Sequence, residues 1–286
     1  MRTFKNLTEN VQEAITMPYG TDFNRPSNPE EGMVRYNTTQ DVLEFYNGTI
    51  WSVLGDSQVT PDIITQGLVL NLDAGNLNSY DGSGATWSDL SEEGNDGVIN
   101  GATYDSNGYF SFGGSDYVSI SHDSTLHQNT LTWEIWAYRS DWSSSGNGGN
   151  MQTIISKAQQ SGYGLYYDKN SSRIRFEIHS GGSWRTLNYN FGSLSSGWHH
   201  FIASYDGSTS KIYADGSLEG SLSHTGTIYY NYSQPVFIGA EADTGNTPAS
   251  SYKFTGSVAL TRLYNRALSS DEVTQNFNAT KTRFGL

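Results

Sequence analysis

Two carboxylates stand two residues apart in the run Ile238-Gly239-Ala240-Glu241-Ala242-Asp243-Thr244-Gly245, just after the short apolar segment Val236 to Ile238. Oxygen donors grouped on a loop are what a hard cation such as calcium takes, with backbone carbonyls completing the shell. The same residues also read as an ordinary solvated acidic loop, and the residue types alone leave both readings open. Carboxylates that cleave a glycosidic bond must instead share one face of a strand, which places them at alternate positions. Glu134 and Glu177 each sit in a strand-like run, Trp133-Glu134-Ile135 and Phe176-Glu177-Ile178, with no acidic residue two or four positions away. Neither has the partner that such hydrolysis needs. His199 and His200 are adjacent, so on a strand they face opposite ways and cannot chelate together; both read as structural. His122 and His127 fall in loop-like stretches, and no serine sits in a G-x-S-x-G elbow. Sugars are commonly held by an exposed aromatic ring flanked by polar groups on a rim. Trp142, Tyr163, Trp184 and Tyr252 lie in or beside loops and are the candidate ligand-binding residues.

The elements that must position these residues are mostly strands. Leu131-Thr132-Trp133-Glu134-Ile135-Trp136-Ala137-Tyr138 alternates strictly and reads as a central strand. Thr153–Ser156, Tyr163–Tyr167, Ile174–Ile178, Trp184–Tyr189, Trp198–Tyr205 and Lys211–Ala214 follow at intervals of about ten residues, the spacing of an all-β sandwich. Gly67 to Asn76 opens this domain with another alternating strand, and Phe110 to Val118 reads as one more. From Gly256, residues Val258, Leu260 and Arg262 alternate with Ala259, Thr261 and Leu263, a half-buried strand pattern. Ser269 and Glu272 then have capping-box spacing, and Val273 and Phe277 give the following short helix one apolar stripe to lay on a sheet. Ser140 to Asn150 is a Ser/Gly loop.

The N-terminal part is separate in character. Val11, Ala14 and Ile15 suit a short helix or an extended arm. A Pro-punctuated lead-in then reaches three short strands, Met33–Tyr36, Val42–Tyr46 and Ile50–Leu54, with a hairpin signal at Asn47-Gly48. A meander this small buries too little to stand alone and should pack on the main domain or on copies of itself. The resulting division is residues 1–55 as arm and meander, 56–66 as linker, and 67–286 as the large domain.

Composition narrows the function classes. The chain has 286 residues, 19 Tyr, 7 Trp and 31 Gly, which suits many short strands joined by tight turns. Its formal net charge of −13 repels phosphate backbones, so nucleic-acid binding is excluded as an expectation. There is no cysteine, which removes disulfides, thiolate zinc sites and thiol nucleophiles. The N-terminus lacks the apolar core of a signal peptide, and no apolar run is long enough to span a bilayer. Release by lysis, as with virus particles, would reconcile that with action outside a cell.

The run Gly256 to Val273, G-S-V-A-L-T-R-L-Y-N-R-A-L-S-S-D-E-V, resembles the C-terminal end of the concanavalin A-like lectin/glucanase superfamily in its laminin-G-like and pentraxin-like branch. The opening G-L-V-L-N-L-D-A-G-N, with T-W-S-D-L-S and G-N-D-G after it, resembles laminin-G-like domains of phage and bacterial surface proteins. The resemblance spans Gly67 to about Phe284 and implies an all-β, concanavalin A-like two-sheet β-sandwich (jelly roll) with one short C-terminal helix, preceded by the small β-meander. Glucanases of the superfamily carry an E-x-D-x-E strand that this chain lacks, so no enzymatic activity is expected. Beside the calcium loop of pentraxins, I-G-A-E-A-D-T-G makes Glu241 and Asp243 the metal carry-overs, with calcium the implied cofactor. The chain departs from that pattern after Ile154-Ile155-Ser156-Lys157, where Ser161-Gly162 stands in place of an Asp-Asn pair.

Residues Arg25 to Leu54, with the head R-P-x-x-P-x-x-G-x-x-R-Y-N and the tail Y-N-G-x-x-W, resemble a module of tailed-phage tail-fibre and related virion proteins. That resemblance implies location on the phage particle, attachment to other virion proteins through this module, and a homo-oligomer with a trimer favoured. The function expected is a non-enzymatic virion structural protein, tail fibre or adhesin, whose lectin-like domain binds host-surface glycan. The alternative is a capsid- or tail-decorating protein that uses its sandwich for protein contacts.

Overall fold

A computed structural model describes residues 17–21, 24–39, 42–46, 48–54, 62–142, 151–158, 160–191, 194–230, 233–243 and 245–286. The helix or arm expected near Val11, the Asn47 half of the hairpin signal and most of the Ser/Gly loop lie outside the described residues. The chain forms two compact units, Met1–Thr60 and Pro61–Leu286.

The first unit is a four-stranded sheet. Strands β1 (Tyr19–Gly20), β2 (Val34–Asn37), β3 (Val42–Tyr46) and β4 (Trp51–Leu54) lie in that order, with β1 parallel to β2 and the rest antiparallel. Its polar heart explains the spacing of its motif. The buried Glu44 carboxylate accepts from Arg25 Nη2 at 2.7 Å and from Asn37 Nδ2 at 3.0 Å, with Arg35 Nη1 at 3.4 Å. Arg25 above all, then Asn37 and Arg35, outweigh burial and hold its carboxyl below the ordinary carboxylate value.

The second unit begins with β5 (Leu68–Asp73), β6 (Thr86–Trp87), β7 (Gly97–Asn100), β8 (Thr103–Asp105), β9 (Tyr109–Gly113) and β10 (Tyr117–Ile120). It continues through β11 (Leu131–Arg139), β12 (Met151–Ala158), β13 (Gly162–Asp168), β14 (Arg173–Ser180) and β15 (Ser183–Asn190). It closes with β16 (Gly197–Tyr205), β17 (Thr209–Ala214), β18 (Ser217–Ser223), β19 (Val236–Ile238), β20 (Thr255–Tyr264) and the helix α1 (Ser270–Thr280). One sheet runs β18-β17-β16-β11-β20-β9-β8, with β5 also paired to β20; the other runs β15-β14-β13-β12-β19-β10-β7-β6. All their pairings are antiparallel. Inward residues of both sheets, among them Trp133, Ile135, Phe201 and Leu263 from the first and Val118, Ile155, Leu165 and Phe176 from the second, share one core. This is the two-sheet sandwich expected, with the short helix at its C-terminal end.

Three expectations need correction. The run Phe110 to Val118 is not one strand: it splits into β9 and β10 in opposite sheets. Gly114 turns there at φ +93°, and the Gly113 N–H donates to Asp116 Oδ2 at 2.6 Å. Second, β20 is not half-buried. From Ser257 to Tyr264 every residue is buried, because one face meets the core and α1 covers the other. A register shift opposite Trp136/Ala137 leaves Ala259 as an extra residue, so Val258 faces the core while Leu260 faces the helix side. Third, residues 62–66, expected as linker, are held to the second unit. The Ile64 N–H donates to Asn276 Oδ1 at 2.8 Å, and the carbonyls of Asp62 and Gln66 accept from Gln275 and Arg266.

Between α1 and the sheet lies a buried ionic cluster. Glu134 Oε1 accepts from Arg262 Nη1 at 2.8 Å and His200 Nε2 at 3.1 Å, and Oε2 accepts from Asn276 Nδ2 at 2.7 Å. Burial pushes this carboxyl up, but Arg262, His200 and Asn276 together prevail and hold it at about 2. Its neighbour His199 points to the other side, bonding Asp215 Oδ2 at 2.8 Å and the Ser195 carbonyl at 3.1 Å. The Glu134 carboxylate is thus engaged in joining helix to sheet, while His200 Nδ1 is buried without a hydrogen-bond partner among the described residues.

Candidate functional site

The outward face of the second sheet carries the polar residues that the core pattern leaves over. On β14, Ile174, Phe176 and Ile178 face the core, so Arg175, Glu177 and His179 face out. Pairing brings Thr186 beside Glu177 and Trp184 beside His179 on β15, and Tyr166 beside Arg175 on β13. Tyr166 lies over Gly164: a Cβ there would sit 2.4 Å from the phenol oxygen, so only glycine admits the ring.

The loop between β19 and β20, described over residues 239–243 and 245–254, lies on this face. Gly239 starts it at φ +83° with Phe112 where a Cβ would be. Ala240 and Ala242 pack on Phe237 and Tyr117. The Ala249 N–H donates to the Glu241 carbonyl and the Asp243 N–H to the Thr247 carbonyl, both at 2.7 Å. The Thr153 N–H donates to the Tyr252 carbonyl at 2.7 Å, tying the loop to β12. Tyr252 itself has φ +62°, a conformation costly for an aromatic residue.

These elements enclose a hollow of about 400 Å³ whose walls include Trp184, Tyr252, Arg175, Glu177, Thr186 and Glu241. Trp184 and Tyr252 are 38% and 40% exposed, unusual for rings this large, and both line the same space. Glu177 is charge-balanced: its Oε1 accepts from Arg175 Nε at 2.7 Å and Thr186 Oγ1 at 2.8 Å. Glu241 is not. Burial first, then the Glu177 charge, push its carboxyl up to about 7, against a bond from the Tyr166 hydroxyl at 3.4 Å. Near neutral pH this carboxyl is partly protonated and can both donate and accept. Two exposed rings with a carboxyl, a guanidinium and a hydroxyl suit the apolar face and hydroxyl rim of a sugar.

The structure thus brings together Trp184, Tyr252 and Glu241, and places the other candidates elsewhere. Trp142 is fully buried, with its Nε1–H donating to the Gly197 carbonyl at 3.0 Å and its ring edge-on to Tyr167 and Phe201. Tyr163 is fully buried too, its hydroxyl donating to the Leu126 carbonyl at 2.9 Å. Both rings fill the core and cannot be platforms. Asp243 spends its carboxylate on its own turn: Oδ1 accepts from the Gly245 and Thr247 amides, and Oδ2 from Thr247 Oγ1 at 2.9 Å. Among the described residues no three His, Asp or Glu converge as metal ligands, and the Asp243 carboxylate is turned to its own loop rather than paired with Glu241. Arg175, Glu177, Thr186 and Tyr166 were missed as site residues. The alternation of Arg175, Glu177 and His179 with three apolar residues was the available signal for an outward polar row.

A family profile described as the concanavalin A-like lectin/glucanases superfamily, the laminin-G type, matches residues 112–274. No curated protein sequence matches the chain. Among solved structures, the binding domain of botulinum neurotoxin serotype D is similar with a TM-score of 0.57 and 13% identity, over 75% of this chain and 52% of that one. The receptor-binding domain of type G matches with a TM-score of 0.54 and 18% identity, over 74% and 51%. A serotype D ligand-binding domain in complex with N-acetylneuraminic acid matches with a TM-score of 0.56 and 13% identity, over 75% and 51%. The chain therefore spans about half the length of these structures, and at such identities the likeness is one of fold.

Proposed function

The chain belongs to the concanavalin A-like lectin/glucanases superfamily, and on that premise we propose that it is a non-enzymatic glycan-binding protein of a tailed-phage particle. The observation that carries the binding role is the hollow beside the β19–β20 loop, where Trp184 and Tyr252 are exposed together beside Glu241 and the Arg175–Glu177 pair. A fold shared with neurotoxin receptor-binding domains, one of them in complex with N-acetylneuraminic acid, is in keeping with recognition of a surface sugar. Fold alone does not assign function, so the reading rests on the site. The phage assignment rests on the Arg25–Leu54 module, whose motif residues Arg25, Arg35 and Asn37 all converge on Glu44. On this reading the module attaches the protein to other virion proteins, as a homo-oligomer with a trimer favoured, and the sandwich faces the host.

The test is a glycan array probed with the full chain, followed by titration of Trp184→Ala with the glycan selected. Loss of at least tenfold in affinity, the scale of a lost stacking ring in a partly open site, is the expected result. No glycan bound, or unchanged affinity in the variant, would refute the binding role. A chain that instead binds only a shell or tail protein is a decoration protein. Mass spectrometry of purified particles and the solution mass of the chain test the location and the trimer.

A further inference from the structure

On the other side of the β19–β20 loop, the same sheet face carries a second hollow, of about 390 Å³, whose walls include Tyr117, Ser119, Ser121, His122, Phe237 and Thr247. Behind the His122 wall lies a buried charge that Asp123 reaches only at longer range. Lys157, on β12, is fully buried. Its Nζ donates to the Gln234 carbonyl at 2.5 Å and to His122 Nδ1 at 3.4 Å. Among the described residues no carboxylate stands within ion-pairing distance of it. A buried ammonium without a counter-ion is among the costliest groups a fold can keep. Burial pushes it down to about 8, which still leaves it mostly charged at neutral pH.

An ammonium can only donate, so His122 Nδ1 is the acceptor and the imidazole proton stands on Nε2. Burial first and the Lys157 charge second push His122 down, which favours the neutral ring. The exposed ring on the hollow's wall is thus an N–H donor with a positive charge behind it. A second ammonium, Lys253 Nζ, sits 4.8 Å from the centre of the Tyr117 ring. Tyr117 itself is braced edge-on against Phe237 at 5.6 Å. The nearby acids accept within their own turns, Asp123 from Thr125, Asp243 from Gly245 and Thr247, Asp116 from Gly113; such bonds do not cancel a carboxylate's charge, so the attraction for an anion is local to His122 and the Lys157 behind it.

We propose that this hollow is a second binding site, which takes a sugar bearing an anionic group, its carboxylate or sulfate held by His122 Nε2–H over the buried Lys157 and its ring laid against Tyr117. That the ligand is a sugar rests on the function proposed above; that it is anionic rests on Lys157 and His122 alone. The site differs from the Trp184 hollow, where the cation, Arg175, is already spent on Glu177.

Calorimetric titration of the full chain with glucuronate, sulfated N-acetylglucosamine, neutral N-acetylglucosamine and inorganic sulfate tests it. At least one acidic sugar binds at least tenfold more tightly than the neutral one, and which of the two binds identifies the anionic group. His122→Leu and Lys157→Met each lose at least tenfold of that affinity, while Trp184→Ala keeps it. Should Lys157→Met not fold, His122→Leu decides, since His122 sits on the wall of the hollow. Equal affinity for acidic and neutral sugars, binding of inorganic sulfate without either acidic sugar, or unchanged affinity in His122→Leu overturns the proposal. Acidic-sugar binding that survives when no glycan is sensitive to Trp184→Ala would refute the first site and leave this one standing.

Discussion

Two glutamates in this sandwich have opposite environments, and pH separates them. Glu134 is surrounded by Arg262, His200 and Asn276 and is held at about 2. Removing it strands Arg262, itself buried, so Glu134→Ala should lower stability by about 3–5 kcal/mol in denaturant titrations. Because the folded value is depressed, the stability Glu134 confers is present above its unfolded value near 4.5 and fades as pH falls toward 2. Glu241 has the reverse sign. Its folded value, about 7, is raised above 4.5, so its contribution is fullest below 4.5 and is lost as pH rises through 7. Glu241→Gln should therefore match the wild type near pH 4 and melt higher than it at pH 8.5, by roughly 1 kcal/mol once the hollow's open side is allowed for. An unchanged difference across that range would remove the burial argument for Glu241. Neither environment was legible in sequence. Glu134 and Glu177 looked alike, each alone between apolar neighbours, because alternation gives a face but not what covers it. Here α1 covers one face and water reaches the other.

At the scale of elements, the helix was the most legible part and the loop the least. Ser269 and Glu272 form the capping box their spacing indicated: the Ser269 N–H donates to Glu272 Oε2 at 2.8 Å, and the Glu272 N–H to Ser269 Oγ at 3.3 Å. Arg266 adds a two-point grip on the same carboxylate and, as the main cause, holds it at about 2. Ser269→Ala should cost about 1 kcal/mol, read as a lower denaturation midpoint. Sequence could not show that Asn276 turns inward to Glu134, since an isolated Asn on a short helix reads as exposed. Nor could it separate Trp142 and Tyr163 from Trp184 and Tyr252. All four flank loops, but the first two belong to strand ends or turns that fold back over the core. Tyr252 offers a sharper experiment. Its φ of +62° is one that glycine adopts freely. Tyr252→Gly should relieve strain, leaving the melting temperature equal to or above that of the wild type, while glycan affinity falls. A fall in both would mean that Tyr252 serves folding rather than binding.

For the whole molecule, the division into two units ending and starting at Thr60 and Pro61 places both hollows of the sheet face within the second. A fragment from Pro61 to Leu286 should keep the glycan affinity of the full chain within about twofold, with any avidity from oligomerisation lost. The claim at the centre of this account is that a sugar lies on the outward face of the second sheet, beside the β19–β20 loop. The most direct measurement is a crystal structure of the chain soaked with the array-selected glycan. The account predicts a pyranose ring against Trp184 and Tyr252 with hydroxyls bonded to Glu241 and the Arg175–Glu177 pair. A glycan seated away from this face, with Trp184 and Tyr252 in contact only with water, would contradict it.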